Sequence, residues 1–264
     1  MSSGYRNRII LSDRLMMSAE MVTPGSCVAD VGCDHAHTSI WLVKNGIAPR
    51  VIAMDLRPGP LEKALGNIRL FGLEDKIELR LSDGLLELEK GEVDSIIIAG
   101  MGGLLVTQIL NASLDKARSA KELILQPQSD IGMVRLLLRE NGFSITHEKM
   151  CREDGKFYNS MRAVPIGSYV PDEAGKGNEH SKIPELYDEF GEILLKSKNE
   201  ILHEQLLILK YKNTRNREQL ISGKSSDESL HGRNKKNGIG NRAEEKLKQL
   251  EQEGRLIDEA LGYY

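Results

Sequence analysis

The sequence lacks several features that would settle its class at once. Its three cysteines, Cys27, Cys33 and Cys151, show no C-x-x-C spacing. That argues against a disulfide framework and for a reducing compartment, the cytoplasm. No apolar run approaches the length of a membrane span. The opening residues, Met1 to Arg8, are polar and lack the apolar core of a signal peptide. There is no excess of positive charge: the formal net charge is -3, so any contact with nucleic acid must use a local patch. No internal repeat is visible. The remaining material is ample, since 264 residues at 40% hydrophobic content can hold one full domain and an appendage.

The stretch that organises the chain is Val28-Ala29-Asp30-Val31-Gly32-Cys33-Asp34-His35-Ala36-His37. Val28 to Val31 reads as a short buried strand, with small and β-branched residues and one acid. Gly32 permits a tight turn and a close approach of backbone to ligand. Helical residues follow. A strand, an acid, a glycine turn and a helix start make a crevice at the carboxyl end of the first strand of an open α/β sheet. The second and third glycines of G-x-G-x-x-G are missing, which removes the backbone cradle of a dinucleotide pyrophosphate. A smaller, less anionic cofactor fits better, and S-adenosylmethionine is the usual one. An ordinary strand-turn-helix corner is the competing reading.

Strands alternating with helices continue from there. An amphipathic helix precedes the first strand, opening near Ser12 or Asp13 and stopped by Pro24-Gly25. Further strands are expected at Arg50–Met54, Lys76–Leu81, Val93–Ala99 and Glu122–Leu125. Two more, near Ser144–Cys151 and Phe157–Val164, flank a Glu153-Asp154-Gly155-Lys156 turn. The expected fold is α/β: a mostly parallel sheet with one antiparallel strand. After Pro165 the composition changes. Pro171 to Ser181 reads as a linker, and Ile183 to Ile221 as one long helix. A heptad seam runs through Ala243, Leu247, Leu250, Gly254, Ile257 and Leu261. Two domains are expected, 1–166 and 167–264, the second a coiled-coil hairpin with a disordered loop at about 222–240.

Several motifs carry chemistry, each with a plainer competitor. Asp55 at the tip of the second strand suits ribose hydroxyls, or caps a helix. Ser82-Asp83-Gly84 suits an adenine ring, or is a polar turn. Three glycines in Ala99-Gly100-Met101-Gly102-Gly103 suit a flat group lying on backbone, while tight helix packing explains one glycine better than three. Asp34 either projects into the crevice or caps the next helix. Cys33, His35 and His37 have poor spacing for a metal, and no metal site is expected. Arg14, Arg57 and the loop lysines, Lys156 among them, are candidates for phosphate contacts, or are simply solvated.

Taken in order, L-S-D-R-L, V-A-D-V-G-C-D-H-A, L-S-D-G-L, I-A-G-M-G-G, L-I-L-Q-P-Q and E-D-G-K-F-Y resemble the bacterial tRNA (adenine-22-N1)-methyltransferases over about Leu11 to Val164. The resemblance implies a Rossmann-like class I S-adenosylmethionine fold with a C-terminal coiled-coil domain, acting on tRNA. It implies cofactor contacts at Asp30, Gly32 and Asp55, with neighbours His35, Leu56 and Ala99, and an adenine-side contact at Asp83 and Gly84. Asp34, Gly100, Met101 and Gly102 are then where the base meets the methyl group, with Asp34 and Gly100 also touching cofactor. Arg14, Arg57 and Lys156 are the expected RNA contacts, and the protein is expected to be monomeric. The chain departs from the family pattern at Cys33, where serine is usual. Alternatives are a methyltransferase acting on a small molecule or protein, and a non-catalytic RNA-binding protein on the same fold.

Overall fold

The structure, a computed structural model, describes residues 9–167, 185–228 and 239–264. The chain divides into two compact units, Met1–Lys182 and Ile183–Tyr264.

In the first unit the elements alternate: α1 (Asp13–Ala19), β1 (Val28–Val31), α2 (His37–Lys44), β2 (Val51–Asp55), α3 (Pro58–Phe71) and β3 (Ile77–Leu81). Then come β4 (Ser95–Met101), α4 (Gly103–Ala112), α5 (Leu114–Ser119), β5 (Glu122–Pro127), α6 (Ile131–Glu140), β6 (Phe143–Glu153) and β7 (Lys156–Pro165). The strands form one seven-stranded sheet in the order β3-β2-β1-β4-β5-β7-β6. Every pairing from β3 to β5 is parallel, and β7 runs antiparallel to both β5 and β6. This is the mostly parallel sheet with one antiparallel strand that the sequence predicts.

The central strands are buried along their length because helices cover both faces. Alternate residues therefore feed two cores. Ala29, Val31, Ile52, Met54, Ile96, Ile98, Leu123 and Leu125 pack on the side of α4, α5 and α6. Val28, Val51, Ala53, Ile97 and Ile124 pack on the side of α2 and α3. The same alternation sends Asp30 toward α2, where a partner waits. Strand order reverses between β1 and β4, so their carboxyl ends diverge into a crevice. β4 runs two residues further than predicted, through a bulge between Ala99 and Met101, which puts the first of the three glycines on the strand itself.

The second unit corrects one expectation. Ile183 to Ile221 is not one helix: α7 (Glu185–Phe190), α8 (Glu192–Lys196) and α9 (Glu200–Glu228) are separated by two breaks. Gly191 and Lys198 both take positive φ, 85° and 53°, which a continuing helix does not allow. The Asn199 carboxamide oxygen then accepts the Ile201 and Leu202 N–H groups at 3.1 and 3.0 Å and restarts the helix. α10 (Ile239–Leu261) lies antiparallel to α9, because partners run in opposite sequence directions. Lys210 pairs with Asp258, Asn213 donates to the Leu250 carbonyl at 2.9 Å, and Arg217 faces Glu251. Leu250, Gly254 and Ile257 of the expected seam are buried. The expected linker 171–181 lies outside the described residues. Of the loop expected at about 222–240, helix occupies 222–228 and 239–240, and the remainder lies outside the described residues.

Candidate functional site

The crevice at the β1/β4 divergence encloses about 510 Å³. Its floor is the turn after β1. Gly32 has φ 73°, and its N–H and that of Cys33 both donate to the Met54 carbonyl, at 2.8 and 2.9 Å. A Cβ on Gly32 would stand 2.2 Å from the Met101 methyl carbon. The positive φ is what calls for glycine here, since the Met101 methyl is the end of a flexible side chain and can move aside.

Asp30 sits under this turn, 4% exposed. Ser39 of α2 donates to its Oδ2 at 2.6 Å. Burial pushes the Asp30 carboxyl up to about 6 from 3.8; bonds from Ser39 oppose the shift and Asp55 adds to it. Burial, helped by Asp30, Asp55 and Asp34, also holds the Cys33 thiol well above its usual range. A protonated thiol is a poor nucleophile, so Cys33 is a turn residue.

Asp34 settles one choice the sequence left open. It takes φ 49° and does not cap α2: the cap position belongs to Ala36, with no side-chain cap bond. Its carboxylate is 70% exposed and 3.6 Å from His35 Nε2. His35 and His37 stack with ring centroids 5.6 Å apart. Burial, and then the neighbouring His35, lower the His37 pKa.

Asp55 is buried at the tip of β2, and its Oδ1 accepts the Arg57 N–H at 3.0 Å. The Ser82 hydroxyl donates to the Gly84 carbonyl at 2.9 Å and accepts the Glu87 N–H at 3.2 Å, closing the turn after β3. Gly84 has φ 57°, and a Cβ there would meet Ile109 at 2.8 Å.

The three glycines after Ala99 serve different needs. Gly100 has φ 80°, and its N–H donates to the buried Gln126 Oε1 at 3.1 Å. Gly102 is the N-cap residue of α4. Gly103 lies so close to the turn before α6 that a Cβ would be 2.4 Å from the Ser129 carbonyl oxygen. One glycine therefore faces the crevice and one is demanded by helix packing.

Comparison with known proteins agrees with this geometry. A family model described as a methyltransferase domain matches residues 11–161. The Bacillus subtilis tRNA (adenine(22)-N(1))-methyltransferase is 38% identical over 157 residues, 60% of this chain and 66% of that protein. The crystal structure of B. subtilis TrmK, a tRNA methyltransferase, superposes with a TM-score of 0.77 at 29% identity, over 96% of this chain and 100% of that one. Streptococcus pneumoniae Sp1610 is 30% identical with a TM-score of 0.72 over the same shares, and has also been solved in complex with S-adenosyl-L-methionine. The chain belongs to the tRNA (adenine-22-N1)-methyltransferase family. The aligned part spans just under two thirds of the curated B. subtilis relative's length. The sheet is thus a Rossmann-like class I methyltransferase sheet.

The residues expected at the cofactor come together. Asp30, Gly32, Asp34, His35, Asp55, Leu56, Asp83, Gly84, Ala99 and Gly100 all line the one crevice, as does Met101. Gly102 does not line it; its place at the head of α4 turns it away. Arg14 and Arg57 line the crevice, but Lys156, on the β6–β7 turn, does not. The Arg14 side chain is also already engaged: its Nε is 3.5 Å from Glu153 Oε1 and its guanidinium lies over the Tyr158 ring, while its backbone N–H donates to Glu153 Oε2 at 3.1 Å. Sequence reasoning missed Thr38, Leu105 and Ile109 in the lining. Helical periodicity would have placed Leu105 and Ile109 on one face of α4, though not which way that face points. Among the described residues, no cluster of three metal-ligating side chains occurs and no helix is long and apolar enough to cross a membrane.

Proposed function

We propose that this protein transfers the methyl group of S-adenosylmethionine to N1 of adenine 22 in tRNA. The observation that carries the reading is the meeting of Asp30, Gly32, Asp55, Asp83 and the Ala99–Met101 edge in one crevice at the strand reversal. The lining fits that cofactor. Gly32 and Gly84 both take positive φ in the two turns that line it, bringing bare backbone to the crevice. Asp55 lines the crevice with only its Oδ1 engaged by protein among the described residues, leaving an oxygen for a ribose hydroxyl. Asp30 is a buried anion suited to a cationic group.

When bound, S-adenosylmethionine supplies a methyl carbon on a cationic sulfur. Adenine N1 has an in-plane lone pair and is unprotonated at neutral pH, so the protein need not supply a strong base. Its task is to align base and methyl group. Gly100, without a side chain, lets a flat ring lie close to the strand end. Asp34, exposed at the crevice, accepts from the adenine N6 amine and stabilises the positive charge that grows on the ring. The target base leaves its stack in folded tRNA to reach this depth. In this reading residues 1–166 form the catalytic domain and 167–264 a helical arm, with Arg57 and Lys156 supplying local positive charge to phosphates. The enzyme works as a cytoplasmic monomer without metal.

Filter binding of bulk tRNA together with transfer of label from methyl-labelled cofactor tests the reading. Binding with label in RNA is expected. Binding without transfer would indicate an RNA-binding protein, and transfer only to protein or small molecules a different enzyme.

A further inference from the structure

Two glutamines flank Pro127 at the end of β5, and the structure uses them in opposite ways. Gln126 is fully buried and both ends of its amide are taken: Oε1 accepts the Gly100 N–H at 3.1 Å and Nε2 donates to the Arg14 carbonyl at 2.9 Å. Gln128 is exposed. Its backbone N–H donates to the carbonyl of Met101, a lining residue, at 2.8 Å, which fixes its main chain next to that residue. Its side-chain nitrogen stands 3.8 Å from where a Cβ on Gly100 would be. Among the described residues no protein group bonds that amide. The other side chain near that Cβ position is Arg14, at 3.5 Å, which is engaged by Glu153 and Tyr158. Gln128 does not itself line the crevice; it stands beside Gly100 and Met101, which do, and there, among the described residues, it offers an uncommitted primary amide on an anchored backbone.

We propose that Gln128 reads the N6–N7 edge of the target adenine while N1 faces the methyl donor. This rests on the proposed transfer to adenine N1. A base that must present N1 cannot also be held through N1, which leaves N6 and N7 for recognition. A primary amide matches that edge: its oxygen accepts from N6–H on the N7 side, and its nitrogen donates to N7. Asp34 takes the other N6 hydrogen, on the N1 side, so the two side chains do not compete. Guanine offers two acceptors, O6 and N7, to the same amide, which can satisfy only one of them. Gln128 is thereby a specificity-determining residue as well as a positioning one.

The test uses two synthetic tRNAs that differ only at residue 22, one carrying adenine and the other 7-deazaadenine, with the full-length protein and saturating S-adenosylmethionine. Deazaadenine keeps N1 and the amine but lacks the N7 acceptor. The wild type should lose on the order of 10-fold in kcat/KM on the deaza substrate, the size expected for one arm of a bidentate base contact. Gln128→Leu should lose a similar factor on adenine, show no further loss on deazaadenine, and keep wild-type affinity for S-adenosylmethionine by calorimetry. Equal wild-type rates on both tRNAs overturn the proposal without recourse to any variant. So does a Gln128→Leu protein that remains as sensitive to the missing N7 as the wild type. A wild type that methylates neither tRNA overturns the proposed function, and this assignment with it.

Discussion

Replacing Asp30 with asparagine should make the protein more stable and a poorer cofactor binder at once. Asp30 is 4% exposed, with the Ser39 hydroxyl 2.6 Å from Oδ2. Burial outweighs that bond and raises its pKa from 3.8 to about 6. A carboxyl whose folded pKa lies above its unfolded value favours folding when protonated. Its contribution is present in full below about pH 4 and is lost as pH rises toward 6. At 1.36 kcal/mol per pH unit, the loss at pH 7.5 is roughly 3 kcal/mol at most. Asparagine keeps the shape and an acceptor for Ser39 but carries no charge. Denaturant titrations of both proteins across pH 4 to 7.5 isolate the effect, because other titrating groups cancel in the difference. The gain from Asp30→Asn should be near zero at pH 4 and rise to between about 1 and 3 kcal/mol at pH 7.5. Calorimetry on the same preparations should show weaker binding of S-adenosylmethionine, whose cationic amino group would meet no buried anion. A mutant no more stable than wild type at pH 7.5 would refute the reasoning. The Ser39 bond would then outweigh desolvation, and Asp30 would be a packing residue.

Asp55→Ala should weaken S-adenosylmethionine binding about 10- to 100-fold, the loss of a hydrogen bond to a charged group; unchanged affinity in a folded mutant would remove Asp55 from the site. Asp34→Asn should lower the single-turnover methyl-transfer rate by on the order of 10²–10³-fold with little change in cofactor affinity, because the carboxylate matters most once the ring becomes cationic. Since Asp34 does not cap α2, a mutant within about threefold of wild type would leave it no role in the reaction. In the helical unit a Cβ at Gly254 would come 2.9 Å from Asn213 Oδ1. Gly254→Ala should therefore destabilise the α9–α10 pair despite alanine's better helix propensity, by about 1–3 kcal/mol; thermal melts showing a gain would mean that Asn213 can rotate away at no cost.

The sheet was legible because its signals are local. Short apolar runs ended by glycine, by an acid or, for β5, by Gln126-Pro127-Gln128 fix β1, β2, β4 and β5, and the Glu153-Asp154-Gly155-Lys156 turn marks the final hairpin. The cofactor crevice followed from chain order, since acids at strand tips converge wherever the strands are parallel. Three things were not legible. The breaks at Gly191 and Lys198 sit in an apolar-periodic stretch, and only the φ values and the Asn199 cap reveal them. The separate duties of Gly100, Gly102 and Gly103 depend on the turn before α6, which is distant in sequence. Whether Asp34 caps a helix or faces the crevice hinges on a two-residue difference in where α2 starts, below the resolution of any pattern.

The central claim is that this crevice methylates N1 of adenine 22 in tRNA. It is tested most directly by incubating the full-length protein with S-adenosylmethionine and an unmodified tRNA carrying adenine at 22, then digesting the RNA and mapping the modified nucleoside by mass spectrometry. One methyl group per tRNA, on N1 of adenine 22, is the predicted result. A methyl group at another position or on another atom, or none from a protein that binds the cofactor, would contradict the account.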